Sequence, residues 1–127
     1  MPNRVQALYN FWSSFGIPAI DEQSSYDTST MQSLGLDYPY ITYETGVGRQ
    51  FDEITLSADI YYRSSTWVEI EAMAATIAAA IGESGRLLPC DNGCRWIKLG
   101  NPAYQRMGAD NDFDVRRIHF DVTVEDL

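Results

Sequence analysis

The sequence is poor in the residues that build catalytic and metal centres, with one histidine and two cysteines among 127 residues. A structural zinc takes four nitrogen or sulfur ligands, and Cys90, Cys94 and His119 supply three, with no carboxylate at ligand spacing. No metal and no other cofactor is expected. No Ser or Cys stands near His119 in a nucleophile motif, so the histidine reads as a solvated or interface residue and no enzymatic activity is expected. Basic charge is scarce as well. Nine Lys and Arg against eighteen Asp and Glu leave a formal net charge of -9, a sign that repels phosphate backbones and anionic lipid. Nucleic acid and membrane surfaces are therefore poor partners. A long apolar run is also missing: the most apolar stretch, Ala72 to Ile81, is far shorter than the ~20 residues a bilayer span needs. The opening Met-Pro-Asn-Arg lacks the apolar core of a signal peptide, so synthesis and residence in the cytoplasm are expected.

What is present is enough apolar material for a core. At 45% hydrophobic residues the chain can fold as one domain over residues 1–127 without disulfide or metal staples. Val5, Leu8, Phe11, Trp12 and Phe15 recur at steps of three and four, which predicts a helix from Asn3 to Phe15 stopped by Gly16. Pro18 prevents its continuation, and Asp21 to Asp37, rich in Ser, Thr, Gln and Asp, reads as a long surface loop. Tyr38 to Glu44 is aromatic and β-branched and predicts a strand. Ile54 to Tyr62 alternates in the way of a strand with one covered face, and Gly46 and Gly48 mark the hairpin between the two.

Thr66-Trp67-Val68-Glu69 matches a capping box, and the stripe Trp67, Ile70, Ala74, Ile77, Ala78 and Ile81 predicts the second helix, ended by Gly82. Asn92-Gly93 predicts a hairpin turn between Arg86–Cys90 and Cys94–Leu99. Gly100 to Asp114 reads as a second long loop, with Tyr104 and Met107 as its anchors. Val115 to Glu125 alternates again and forms the last strand, with Arg116, Ile118, Phe120, Val122 and Val124 on one side. The expected fold is α+β, a single largely antiparallel β-sheet with two α-helices packed on one face.

Several constellations reduce to simpler explanations. Cys90 and Cys94 sit symmetrically about the turn and could face each other, but reduced thiols are expected in the cytoplasm. Asp110, Asp112 and Asp114 superficially match a calcium loop, yet Gly108 precedes them and no glutamate closes the loop, which leaves a solvated acidic segment. Gly46-Val47-Gly48 has no third glycine and no following helix, so a turn explains it without a phosphate. Tyr38, Tyr40, Tyr43, Tyr61 and Tyr62 serve core packing or subunit contact, since no basic groove accompanies them.

Stretches along the chain nevertheless carry a resemblance. They are Leu8-Tyr9-Asn10-Phe11-Trp12-Ser13-Ser14-Phe15-Gly16-Ile17-Pro18-Ala19, Pro39-Tyr40-Ile41-Thr42-Tyr43-Glu44, Tyr62-Arg63-Ser64-Ser65-Thr66-Trp67, Trp96-Ile97-Lys98 with Gly100-Asn101-Pro102, Gln105-Arg106-Met107, and Arg116-Arg117-Ile118. In their joint order and spacing, from the first helix to the last strand, the chain resembles the tail terminator (neck terminator) proteins of long-tailed bacteriophages. Cys90 and Cys94 are outside that pattern. The resemblance implies a non-enzymatic virion protein of the tail neck, assembled in the host bacterial cytoplasm. It implies a homo-oligomeric ring, a hexamer, that caps the tail tube protein, stops its polymerisation and joins it to the head connector or completion protein. Such a ring needs two different patches on each subunit. Arg63, Tyr104, Arg106, Asp112, Arg116 and Arg117 are the candidate interface residues, the arginines because they pair bidentately with carboxylates of a neighbour. Two other roles remain open: a head completion or connector protein of the same particle, and a small-molecule-binding α+β domain.

Overall fold

The first helix, α1 (Arg4–Ser13), begins where Asn3 accepts a hydrogen bond from the Gln6 amide at 2.8 Å, a side-chain cap for a helix start. A computed structural model describes residues 1–22, 38–108 and 114–127. Most of the expected loop from Asp21 to Asp37, and Asp110 and Asp112 of the second loop, lie outside these residues. The buried face of α1 is Ala7, Leu8, Phe11 and Trp12, while Val5 points to solvent and is not part of the stripe that its spacing suggested.

Among the described residues the strands are β1 (Ala19–Asp21), β2 (Tyr40–Tyr43), β3 (Glu53–Arg63), β4 (Arg86–Cys90), β5 (Gly93–Leu99), β6 (Gln105–Met107) and β7 (Val115–Asp126). They form one mixed sheet in the order β1-β2-β3-β7-β5-β4, with β6 beside β7. β1 runs parallel to β2, and the other pairings are antiparallel. The second helix, α2 (Val68–Ile81), lies between β3 and β4 in the chain. The fold is a sheet-dominated α+β fold.

The capping box does not form. Trp67 occupies the cap position with no side-chain bond, because the Thr66 amide donates to the Ser64 hydroxyl at 3.2 Å and the turn before the helix uses the hydroxyls itself. Glu69 and Glu71 in the first turn still favour the positive end of the helix dipole. Gly82 ends the helix at a φ of 79°, with its N–H on the Ala78 carbonyl.

The first part of the expected second long loop is a bulge that leads into β6. Five residues, 100–104, separate β5 from β6, whereas two, Phe120 and Asp121, separate their partners on β7, so three residues are looped out of one nearly continuous edge. Gly100 makes this possible, since a Cβ there would stand 2.6 Å from the Asp121 carbonyl oxygen. The core joins Leu8, Phe11 and Trp12 of α1 and Ile70, Ile77 and Ile81 of α2 to Ile41, Ile60, Ile97, Ile118, Phe120 and Val122 of the sheet. Each such fully buried side chain contributes roughly 1.5–3 kcal/mol. No helix among the described residues is long and apolar enough to cross a membrane.

Candidate assembly interface

The continuous register of β3 on β7 pairs Arg63 with Val115, Tyr62 with Arg116 and Tyr61 with Arg117, and β6 sets Arg106 beside Ile118. Four arginines that are dispersed in the sequence thus meet at one end of the sheet. They straddle it. On the side of α2, the Arg106 guanidinium lies 4.7 Å and that of Arg116 5.5 Å from the centre of the Trp67 ring. Arg106 also bonds Glu71 at 2.6 Å, and Arg116 donates to the Ser65 carbonyl at 3.0 Å. On the opposite side, Tyr38, Tyr40 and Tyr61 stack with centroids 5.1 and 5.0 Å apart. Arg63 caps this stack over Tyr38 at 4.8 Å and Arg117 over Tyr61 at 5.8 Å. Each cation is drawn to the negative face of a ring, which holds the guanidinium plane without neutralising it.

Tyr104 does not join them. Its ring packs 5.3 Å from Phe120, half-buried against the core, where it anchors the bulge. Asp112 lies outside the described residues.

Beside the stack, His119 bridges two carboxylates. Its Nδ1 is 2.9 Å from Asp59 and its Nε2 3.0 Å from Asp121, while Arg117 shares the same Asp59 oxygen at 3.1 Å. Burial disfavours the charged ring, but the hydrogen bonds and charges of Asp59 and Asp121 together outweigh it and the His119 pKa is raised. When protonated, the ring can donate to both carboxylates and staple Asp59 to Asp121. Nearby, Glu44 accepts from the Ser57 hydroxyl at 2.5 Å and the Ser57 amide at 2.7 Å, which lowers its pKa. Tyr62 is raised by burial and by Glu69; Tyr43 is pushed up to about 12 by burial, Asp21 and Tyr9.

The cysteines do not face each other. The two-residue turn pairs Cys90 with Gly93 and Cys94 with Pro89, so the thiols project from opposite sides of the hairpin and both are free. Among the described residues, no group of three or more His, Cys, Asp or Glu side chains is placed to hold a metal ion.

At the far end of the β3–β7 pair is a network that the sequence did not suggest. Arg95 and Asp126 are both buried and bond at 2.7 Å. Arg95 also donates to the carbonyls of Arg4 and Gly46, and Arg4 bonds Asp126 at 3.1 Å and the Cys94 carbonyl at 3.0 Å. The pair ties α1, the β2–β3 loop, β5 and β7 together. A pocket of about 200 Å³ lies over it, lined by Arg4, Gly48, Gln50, Asn92 and Asp126. Arg4 and Asp126 in its lining are paired with each other at 3.1 Å. Only a charged residue amid strand alternation, Arg95 between Cys94 and Trp96, hinted at this network.

Comparison of the chain with protein-family models, with curated proteins and with solved structures finds no match.

Proposed function

We propose that the chain is a structural subunit of a phage tail neck, a terminator that closes into a hexameric ring on the tail tube, stops tube growth and offers the surface for the head connector. The observation that carries this reading is the convergence of Arg63, Arg106, Arg116 and Arg117 on the rings of Tyr38, Trp67 and Tyr61 at one end of the sheet. Arginine and aromatic side chains are the residues enriched at the centres of protein interfaces. In the ring, these guanidiniums bridge to carboxylates on the neighbouring subunit, and the chain's excess of eighteen acidic over nine basic residues supplies the acceptors. The same reading takes both helices as covering one face of a largely antiparallel sheet and leaves the opposite face, with its tyrosine stack and histidine staple, open to contact.

The test is to add the purified chain to growing tail tubes and measure tube length and end structure by electron microscopy, with particle mass by light scattering. The reading predicts tubes that stop at a defined cap of six copies. Tubes that grow on unchanged would overturn it. Rings at the portal side of the head, with bare tube ends, would transfer the chain to the head completion role.

A further inference from the structure

The register of β3 on β7 pairs Asp59 with His119, Ser57 with Asp121 and Tyr61 with Arg117, which sets these side chains on one face of the sheet, opposite the buried Ala58, Ile60, Ile118 and Phe120. The imidazole stands between two carboxylates. Its Nδ1 is 2.9 Å from Asp59 Oδ1, its Nε2 is 3.0 Å from Asp121 Oδ1, and Arg117 Nε donates to the same Asp59 oxygen at 3.1 Å. The neighbouring strands bring one further charge. β2 leads into Glu44, whose carboxylate is held by Ser57 and feels the charge of His119, and β6 places the neutral Gln105 opposite the histidine. A protonated imidazole has two N–H donors and serves both carboxylates, whereas a neutral one has a single N–H and presents a lone pair at its second nitrogen. Loss of the proton therefore breaks one of the two bridges, because it sets a lone pair against a carboxylate oxygen. Exposure decides which bridge breaks. The Asp59 side chain is 13% exposed and is also bonded by Arg117, while the Asp121 side chain is 53% exposed and regains water when it turns away.

We propose that His119 is a proton switch on this face: protonated, it captures the Asp121 side chain, and neutral, it keeps its Nδ1–H on Asp59 and releases Asp121 to water. The Asp121 carbonyl accepts the Gly100 amide at 2.9 Å, so the backbone is fixed and the motion is confined to the carboxylate. Burial disfavours the imidazolium, but Asp59 and Asp121 together outweigh it, so the change of state falls above pH 6.5. In the protonated state the two anions Asp59 and Asp121 are balanced by the two cations Arg117 and His119. In the neutral state one cation is gone and the group is net negative. The face beside the tyrosine stack thus changes its charge with pH while the strand pairing stays as it is. The switch is a property of the single chain and holds whether or not the chain is a neck subunit.

The experiment is an NMR titration of the intact chain, in which the single histidine makes the ring signals unambiguous. Long-range proton–nitrogen spectra of the ring report its protonation and its tautomer, and the carbon shift of the Asp121 carboxyl reports the release. The expected midpoint lies above 6.5, the neutral ring carries its proton on Nδ1 instead of the Nε2 that free imidazole favours, and the Asp121 carboxyl shift moves with the same midpoint. Asp121→Asn removes the exposed partner and is expected to lower the midpoint while the neutral ring keeps its proton on Nδ1. A midpoint at or below 6.5 in the parent overturns the switch. So does a neutral ring protonated on Nε2, because Asp59 would then be the carboxylate released. A midpoint that Asp121→Asn leaves in place, or an Asp121 carboxyl shift that does not follow the ring, overturns it as well, by showing that Asp121 is not held by the imidazolium.

Discussion

At one end of the β3–β7 pair Arg95 is fully buried against Asp126, whereas at the other end Arg63 and Arg106 stand in solvent over the rings of Tyr38 and Trp67. The buried arginine donates to a carboxylate and two carbonyls, and removing any partner would strand a charge away from water. The exposed arginines keep most of their hydration and contribute little to stability when paired with Glu71 or stacked on a ring. One end therefore spends its charge on holding four segments together. The other keeps Arg63 and Arg106 exposed at the surface, where their contacts add little to stability, and that makes it a candidate contact surface.

That contrast can be broken by mutation. The largest effect is expected for Asp126→Asn, which leaves Arg95 and Arg4 without their carboxylate: a loss of about 3–5 kcal/mol in urea unfolding, with the β2–β3 loop released. Trp67→Ala removes the half-buried ring under Arg106 and Arg116 and is expected to cost about 2 kcal/mol. The same unfolding measurement followed against pH tests the histidine staple. Because the His119 pKa is raised above its unfolded value of 6.5, its contribution is fully present below pH 6.5 and is lost as pH rises through the folded value. His119→Gln should flatten the curve in that window and leave it unchanged at higher pH. Smallest of all, Arg106→Ala should cost less than about 1 kcal/mol in stability while weakening the proposed ring.

The same division explains what could be foreseen from residues alone. The alternation of Ile54 to Tyr62 and of Val115 to Glu125 is long enough to define strands, and the three- and four-residue steps of Leu8, Phe11 and Trp12 define a helix face. Three residues cannot carry a period, which is why β6 was hidden in an apparent loop and β1 went unassigned before Asp21. Thr66 and Glu69 had the spacing of a capping box, but Ser64 competed for the Thr66 amide. The cysteines looked symmetric in sequence, yet the pairing of Cys90 with Gly93 put them on opposite sides. Arg95 and Asp126 are 31 positions apart, so their partnership exists only once β5 lies beside β7. At the candidate interface the arginines were legible as residue types, and their grouping around Trp67 and the tyrosines was a product of strand register.

The most direct measurement is labelling of arginines with phenylglyoxal, read by mass spectrometry, on the free chain and on the chain assembled at tube ends. Arg95 should resist modification in both states because it is buried in the subunit itself. Arg63 and Arg106 should react in the free chain and become protected in the assembly. Reactivity at Arg63 and Arg106 that is the same in both states would contradict the claim that the arginine end lies between subunits.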